Sequence, residues 1–213
     1  MNNLDRIIQS QFPAVMVPNH EPLDQVATNQ ARLLVAEDGV FIEAKAEWGY
    51  FRQLTMPSPR TLPYGHVTET CLISAPPLDN VIKSAIRADA MHWLPDEYAG
   101  HVLLQNGQLH YHEAELDPNC SHPRSPTHIN YMLPEPEQGD LILDVHSHGH
   151  GKPYFSHTDY QDMNGGIYIA LVLGRCERGE TMIFEYGLNV AGFFFPRLPA
   201  IQTWLSGKNQ TEE

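Results

Sequence analysis

Asp140-Leu-Ile-Leu-Asp-Val-His146-Ser-His148, a run of seven residues from Gly149 to Phe155, and then Ser156-His-Thr-Asp159 form the stretch on which the reading of this chain turns. The residues before His146 are mostly apolar, partly β-branched and follow a turn-like Glu-Gln-Gly, so they predict a buried strand ending at the histidines. Residues two apart in a strand project to one face, which lets His146 and His148 reach the same ion. The seven-residue run holds two glycines and a proline and predicts a loop. Ser156 then takes the position of a helix N-cap, with Asp159 in the first turn. A strand end and a helix start are thereby folded over one point.

Two imidazoles and a carboxylate are the donor set of a hydrolytic zinc site, which takes three protein ligands and leaves a fourth position for water. One zinc per chain on His146, His148 and Asp159 is the expectation. The chain has 12 histidines, so coincidence has to be weighed. Residue frequencies at these fixed offsets put a chance match on the order of one in a thousand. Ser156 has two compatible roles, capping the helix and donating a hydrogen bond to an oxyanion formed beside the metal. With the trio complete, His150 and His157 read as exposed loop histidines rather than as spare ligands or proton shuttles. His110, His112 and His122 offer no second ligand spacing.

The pattern His-x-His, seven residues, Ser-x-x-Asp resembles the signature of the JAMM metalloproteases, the MPN-plus or JAB-domain family, which cleave isopeptide or peptide bonds next to ubiquitin-like proteins. That family also uses a glutamate from an earlier strand as general base, in a Glu-x-x-Gly context after a helix. Leu94-Pro-Asp-Glu97-Tyr-Ala-Gly100 fits, so the resemblance implies Glu97 as the base. Glu113 and Glu115 in a strand, and Glu135 and Glu137 in a proline-flanked loop, are its competitors. The resemblance spans roughly residues 77 to 195. It departs from the family where Pro often follows the second histidine and precedes the serine, positions held here by Gly149 and Phe155. Within the family, the chain is similar to the JAB proteins of bacterial operons that also encode ubiquitin-like, E1-like and E2-like partners. The activity implied is zinc-dependent cleavage after the C-terminal glycine of a ubiquitin-like protein. The alternatives are a metal-dependent hydrolase of a small amide and a non-catalytic MPN-type scaffold.

Composition narrows the setting. A formal charge of −13 with 13 basic residues that do not cluster argues against a nucleic-acid surface, which needs grouped Lys and Arg. Cys71, Cys120 and Cys176 are odd in number and widely spaced, so neither a disulfide framework nor a thiolate zinc site is indicated. The start Met1-Asn-Asn-Leu-Asp-Arg lacks the features of a signal peptide, and no apolar run approaches a membrane span. A cytoplasmic protein without a membrane anchor is expected.

At 213 residues the chain suits one domain with an accessory layer. Pro76-Pro77 is the expected boundary, with residues 1–76 as a mostly β accessory module and 77–213 as the metalloprotease domain. In the module, Ala31 to Ala36 and Val40 to Lys45 predict a hairpin around Asp38-Gly39, and His66 to Ile73 a further strand. The module is expected to help recognise the ubiquitin-like partner, since exposed strand edges accept extended tails. After it, apolar residues every three or four positions predict a helix from Asn80 to Trp93. Strands are predicted at Ala99 to Gln105, Gln108 to Leu116, His128 to Leu133, Ile167 to Leu173 and Met182 to Tyr186, with Phe193 to Phe195 as a core strand end. The expected class is α+β, an α/β sandwich with a JAB/MPN-type mixed sheet flanked by helices.

Overall fold

The computed structural model describes residues 6, 9–163 and 165–208. The chain divides into two compact units, residues 1–74 and 75–213.

The first unit is a five-stranded sheet in the order β1-β2-β3-β4-β5, made of β1 (Ala14–Met16), β2 (Gln30–Ala36), β3 (Gly39–Ala46), β4 (Gly49–Pro57) and β5 (Thr70–Ile73). Apart from the parallel β1–β2 pair, neighbours are antiparallel. The expected hairpin is β2–β3, with Leu33 opposite Ile42. Its core gathers Val17, Leu34, Ala36, Phe41 and Val67. Strand β4 is an addition to the sequence reading. The strand expected from His66 pairs only from Thr70 onward, for a local reason: the Leu54 amide bonds the Glu69 side chain at 3.1 Å instead of a strand carbonyl.

The second unit is a six-stranded mixed sheet, β13-β12-β11-β10-β6-β7. Its strands are β6 (Ala99–Gln105), β7 (Gln108–Glu113), β10 (Asp140–Ser147), β11 (Ile167–Gly174), β12 (Ile183–Val190) and β13 (Phe193–Pro196). Helices α1 (Asn80–His92), α2 (His157–Asp162) and α3 (Pro199–Ser206) accompany it, which gives the α+β architecture expected. The apolar stripe of α1 buries Ile82, Ile86 and Ala90, and Asp79 caps it by accepting the Ile82 amide at 2.8 Å. Strand β11 is buried almost end to end, which is why its sequence is continuously apolar rather than alternating.

Two expected strands are shorter than predicted. Strand β7 stops at Glu113, and of the run from His128 only His128–Ile129 (β9) pairs, with Arg124–Ser125 (β8), plus an isolated Leu116–Tyr131 bridge. Past these short pairings the two runs meet irregularly, the Asp117 amide donating to the Asn130 carbonyl at 3.0 Å and the Met132 amide to the Glu115 carbonyl at 2.9 Å, and Pro118, Pro123, Pro126 and Pro134 flank them.

The topology places the site. Strand β10 runs parallel to β11 and antiparallel to β6, with His146 opposite Ala99. The residues just before β6 therefore lie beside the end of β10. The connection from β10 to β11 carries α2 back over the same end.

Candidate metal centre

His146 is the last but one residue of β10, and His148 extends the ladder by donating its amide to the Leu173 carbonyl at 2.8 Å. Their rings share one face, with centroids 5.4 Å apart. Asp159 reaches them through a capping box: Ser156 Oγ accepts the Asp159 amide at 3.2 Å, while the Asp159 carboxylate accepts the Ser156 amide. This reciprocal cap, worth about 1 kcal/mol, also fixes the carboxylate's direction. One ligand atom each of His146, His148 and Asp159 lies within 4.8 Å of the others, and no other such trio of His, Cys, Asp or Glu occurs among the described residues.

The donors fit a divalent ion on two counts. His146 is 8 % exposed, yet its Nε2 has no hydrogen-bond partner among the described residues; Oδ1 of Asp159 is 3.5 Å away. An unpaired buried ring nitrogen is costly and suits a ligand. His148 directs Nδ1 to the Lys152 carbonyl at 3.2 Å, which leaves Nε2 toward the site, the orientation outer hydrogen bonds impose on metal-binding histidines. Burial, then the nearby His146, hold His148 below its usual pKa, so its imidazole is neutral and its lone pair available.

Glu97 lies two residues before β6 and is 7 % exposed. It lines the same cavity of about 710 Å³ as the trio and Ser156, and among the described residues it is the only glutamate to do so. No described residue hydrogen-bonds its carboxyl. Burial first, and the negative Asp159 second, push its pKa up to about 7. Its backbone is fixed on both sides: its amide donates to Ser125 O at 2.9 Å, and Tyr98 exchanges bonds with Ser147, amide to Oγ at 2.9 Å and carbonyl from the Ser147 amide at 2.8 Å. The Glu-x-x-Gly spacing also has a cause. Tyr98 folds back over Gly100, where a Cβ would lie 2.1 Å from the Tyr98 hydroxyl oxygen.

Residues 79–186 match the family model described as prokaryotic homologues of the JAB domain, a span of just over half the chain. The chain belongs to that family. Residues 2–74 match a domain of unknown function, DUF2016. No curated protein and no solved structure matches the chain.

Within this JAB domain, the departure at Gly149 has a structural reading. Gly149 has φ +49°, a value the proline ring excludes, and the loop it opens is tied down by Arg175 and Cys176 amides on the Gly151 and Gly149 carbonyls at 2.8 and 2.9 Å. Of the other histidines, His150 lines the cavity and pairs with Glu177 at 3.2 Å, while His157 is exposed on α2. Glu113 pairs instead with Arg124.

Two features escaped the sequence reading. Ser147, fully buried, ties the histidine strand to the segment bearing Glu97. Asp144 forms part of the cavity lining, accepts Tyr131 OH at 2.9 and 3.1 Å, and faces His101 Nε2 at 3.5 Å. The signal for Asp144 was available, since it stands two residues before His146 in a strand. Among the described residues no helix is long and apolar enough to cross a membrane.

Proposed function

We propose that this JAB domain is a zinc-dependent peptidase or isopeptidase that hydrolyses the bond after the C-terminal glycine of a ubiquitin-like protein. The observation that carries the hydrolytic part is the shared cavity, in which an unpaired, buried Glu97 lies with the His146–His148–Asp159 trio. His146, His148 and Asp159 would hold a zinc ion, which would supply Lewis-acid chemistry and an activated water near neutral pH. Glu97 takes the proton from the attacking water as the new C–O bond forms and returns it to the nitrogen as the C–N bond breaks. A buried carboxyl with no hydrogen-bond donor of its own among the described residues is free to accept a proton and to return it. Ser156 Oγ accepts the Asp159 amide at 3.2 Å, which leaves its O–H to donate a hydrogen bond to the oxyanion of the tetrahedral intermediate.

The ubiquitin-like substrate, and E1-like and E2-like proteins as partners, are supported by the motif's resemblance and by likeness in length and long N-terminal extension to protein A of the PRTRC system. Residues 1–76 then serve as an accessory module that helps to hold the substrate protein. The test compares the purified protein on a ubiquitin-like protein fused through its C-terminal glycine with its action on small amides. Cleavage of the fusion at that glycine, with small amides untouched, supports the reading. Turnover of small amides alone favours a small-amide hydrolase, and none on either, with zinc bound, favours a scaffold.

A further inference from the structure

We propose that Arg124 is a positioning residue for Glu97, an inference that rests on the reading of Glu97 as the base. The Arg124 guanidinium lies over the Trp93 ring, 3.4 Å from its centroid. It donates from Nη2 to Glu113 at 2.9 Å. The side chain is 8 % exposed, and both Nε and Nη1 are buried without an acceptor among the described residues. Each such orphan donor is costly to bury, and an apolar side chain on the same indole avoids that cost. Stability alone therefore gives a poor account of an arginine here.

The neighbouring bonds give a better one. Ser125, the next residue, offers its carbonyl to the Glu97 amide at 2.9 Å. Two adjacent hairpin residues thus hold both ends of one short segment, Arg124 at Trp93 and Ser125 at Glu97. Trp93 itself is fixed as the C-cap of α1, its amide bonded to Asp89 and Met91 carbonyls. The β8–β9 hairpin has two residues per strand and is too short to hold its own position. Arg124 supplies the anchor, and through Ser125 it sets where Glu97 enters the cavity. Displacement of a base by about 1 Å is enough to cost turnover heavily.

The test is Arg124→Met, which keeps an unbranched apolar stem on Trp93 and removes the charge and its orphan donors. Hydrogen exchange, which needs no substrate, should show the Glu97 amide losing protection while the Ser147 amide keeps its own, with zinc content unchanged. On the cleavable fusion, kcat should fall about tenfold with KM nearly constant. Unchanged Glu97 protection, or kcat within twofold of the parent, overturns the proposal; so does loss of protection spread evenly over the domain, which marks a merely structural arginine. Should Arg124→Met not fold, Arg124→Lys, which keeps the charge toward Glu113 but not the flat stack, is read by the same criteria. Glu97→Gln separates the two readings. If it leaves turnover intact, the base assignment fails; if it abolishes turnover while Arg124→Met does not, only the positioning role fails.

Discussion

Glu43 in the N-terminal sheet and Glu97 in the JAB domain are both buried, at 1 % and 7 % exposure, and their surroundings treat the same carboxyl in opposite ways. Glu43 is met by Arg32 at 2.6 Å, by Arg52 at 2.7 Å and by the Tyr50 hydroxyl. Burial pushes its pKa up, but these hydrogen bonds outweigh burial and hold it below the usual value. Glu97 meets no donor among the described residues, and burial with Asp159 pushes it up to about 7. A buried carboxylate whose partners are complete holds a sheet together. One left without partners among the described residues and pushed up in pKa suits the proton transfers proposed for it.

The contrast can be broken most sharply in the N-terminal sheet. Glu43→Gln leaves two arginines without their counter-charge, so it should destabilise the protein by about 3–5 kcal/mol at neutral pH. Because the folded pKa of Glu43 is lowered, this contribution is present above its usual range and is lost as pH falls through the folded value. Denaturant melts should therefore show the penalty shrinking in acid.

Glu97 should show the reverse. Its folded pKa is raised from 4.5 to about 7, so the metal-free protein is favoured below 4.5 and loses that advantage as pH rises through 7, by about 3 kcal/mol. Metal-free Glu97→Gln should gain stability relative to the parent by that amount between pH 4 and pH 8. A difference that stays flat with pH removes the basis of the contrast.

In turnover, Glu97→Gln should keep its zinc and lose about a hundredfold or more, equivalent to about 2.7 kcal/mol, whereas Glu113→Gln should change little, because its amide oxygen still accepts from Arg124. The opposite result moves the base to Glu113. The smallest expected effect is on recognition. Deleting residues 1–74 should raise KM on a protein substrate several-fold, about 1 kcal/mol, with less change in kcat. A folded, zinc-bearing truncation with unchanged kinetics gives the module another role.

Much of this was readable from the chain. The β10 run, Ser156 as cap and Asp159 in the first turn follow from local rules of strand alternation and helix capping, and the structure gathers His146, His148 and Asp159 as those rules suggest. Bringing in Glu97 took more than local pattern: it depends on β6 running antiparallel to β10 so that Ala99 lies opposite His146. The pins Ser147–Tyr98 and Ser125–Glu97 join residues 49 and 28 positions apart and carry no local signature. Alternation also extends the strand at His128 to Leu133, because the pattern along one segment does not show where its partner strand ends, here at Ser125.

The most direct measurement is the zinc content of the purified parent and of the variant carrying both His146→Ala and His148→Ala. The trio predicts close to one zinc per chain in the parent and close to none in the variant, with both still folded. Equal zinc in the two proteins contradicts the account.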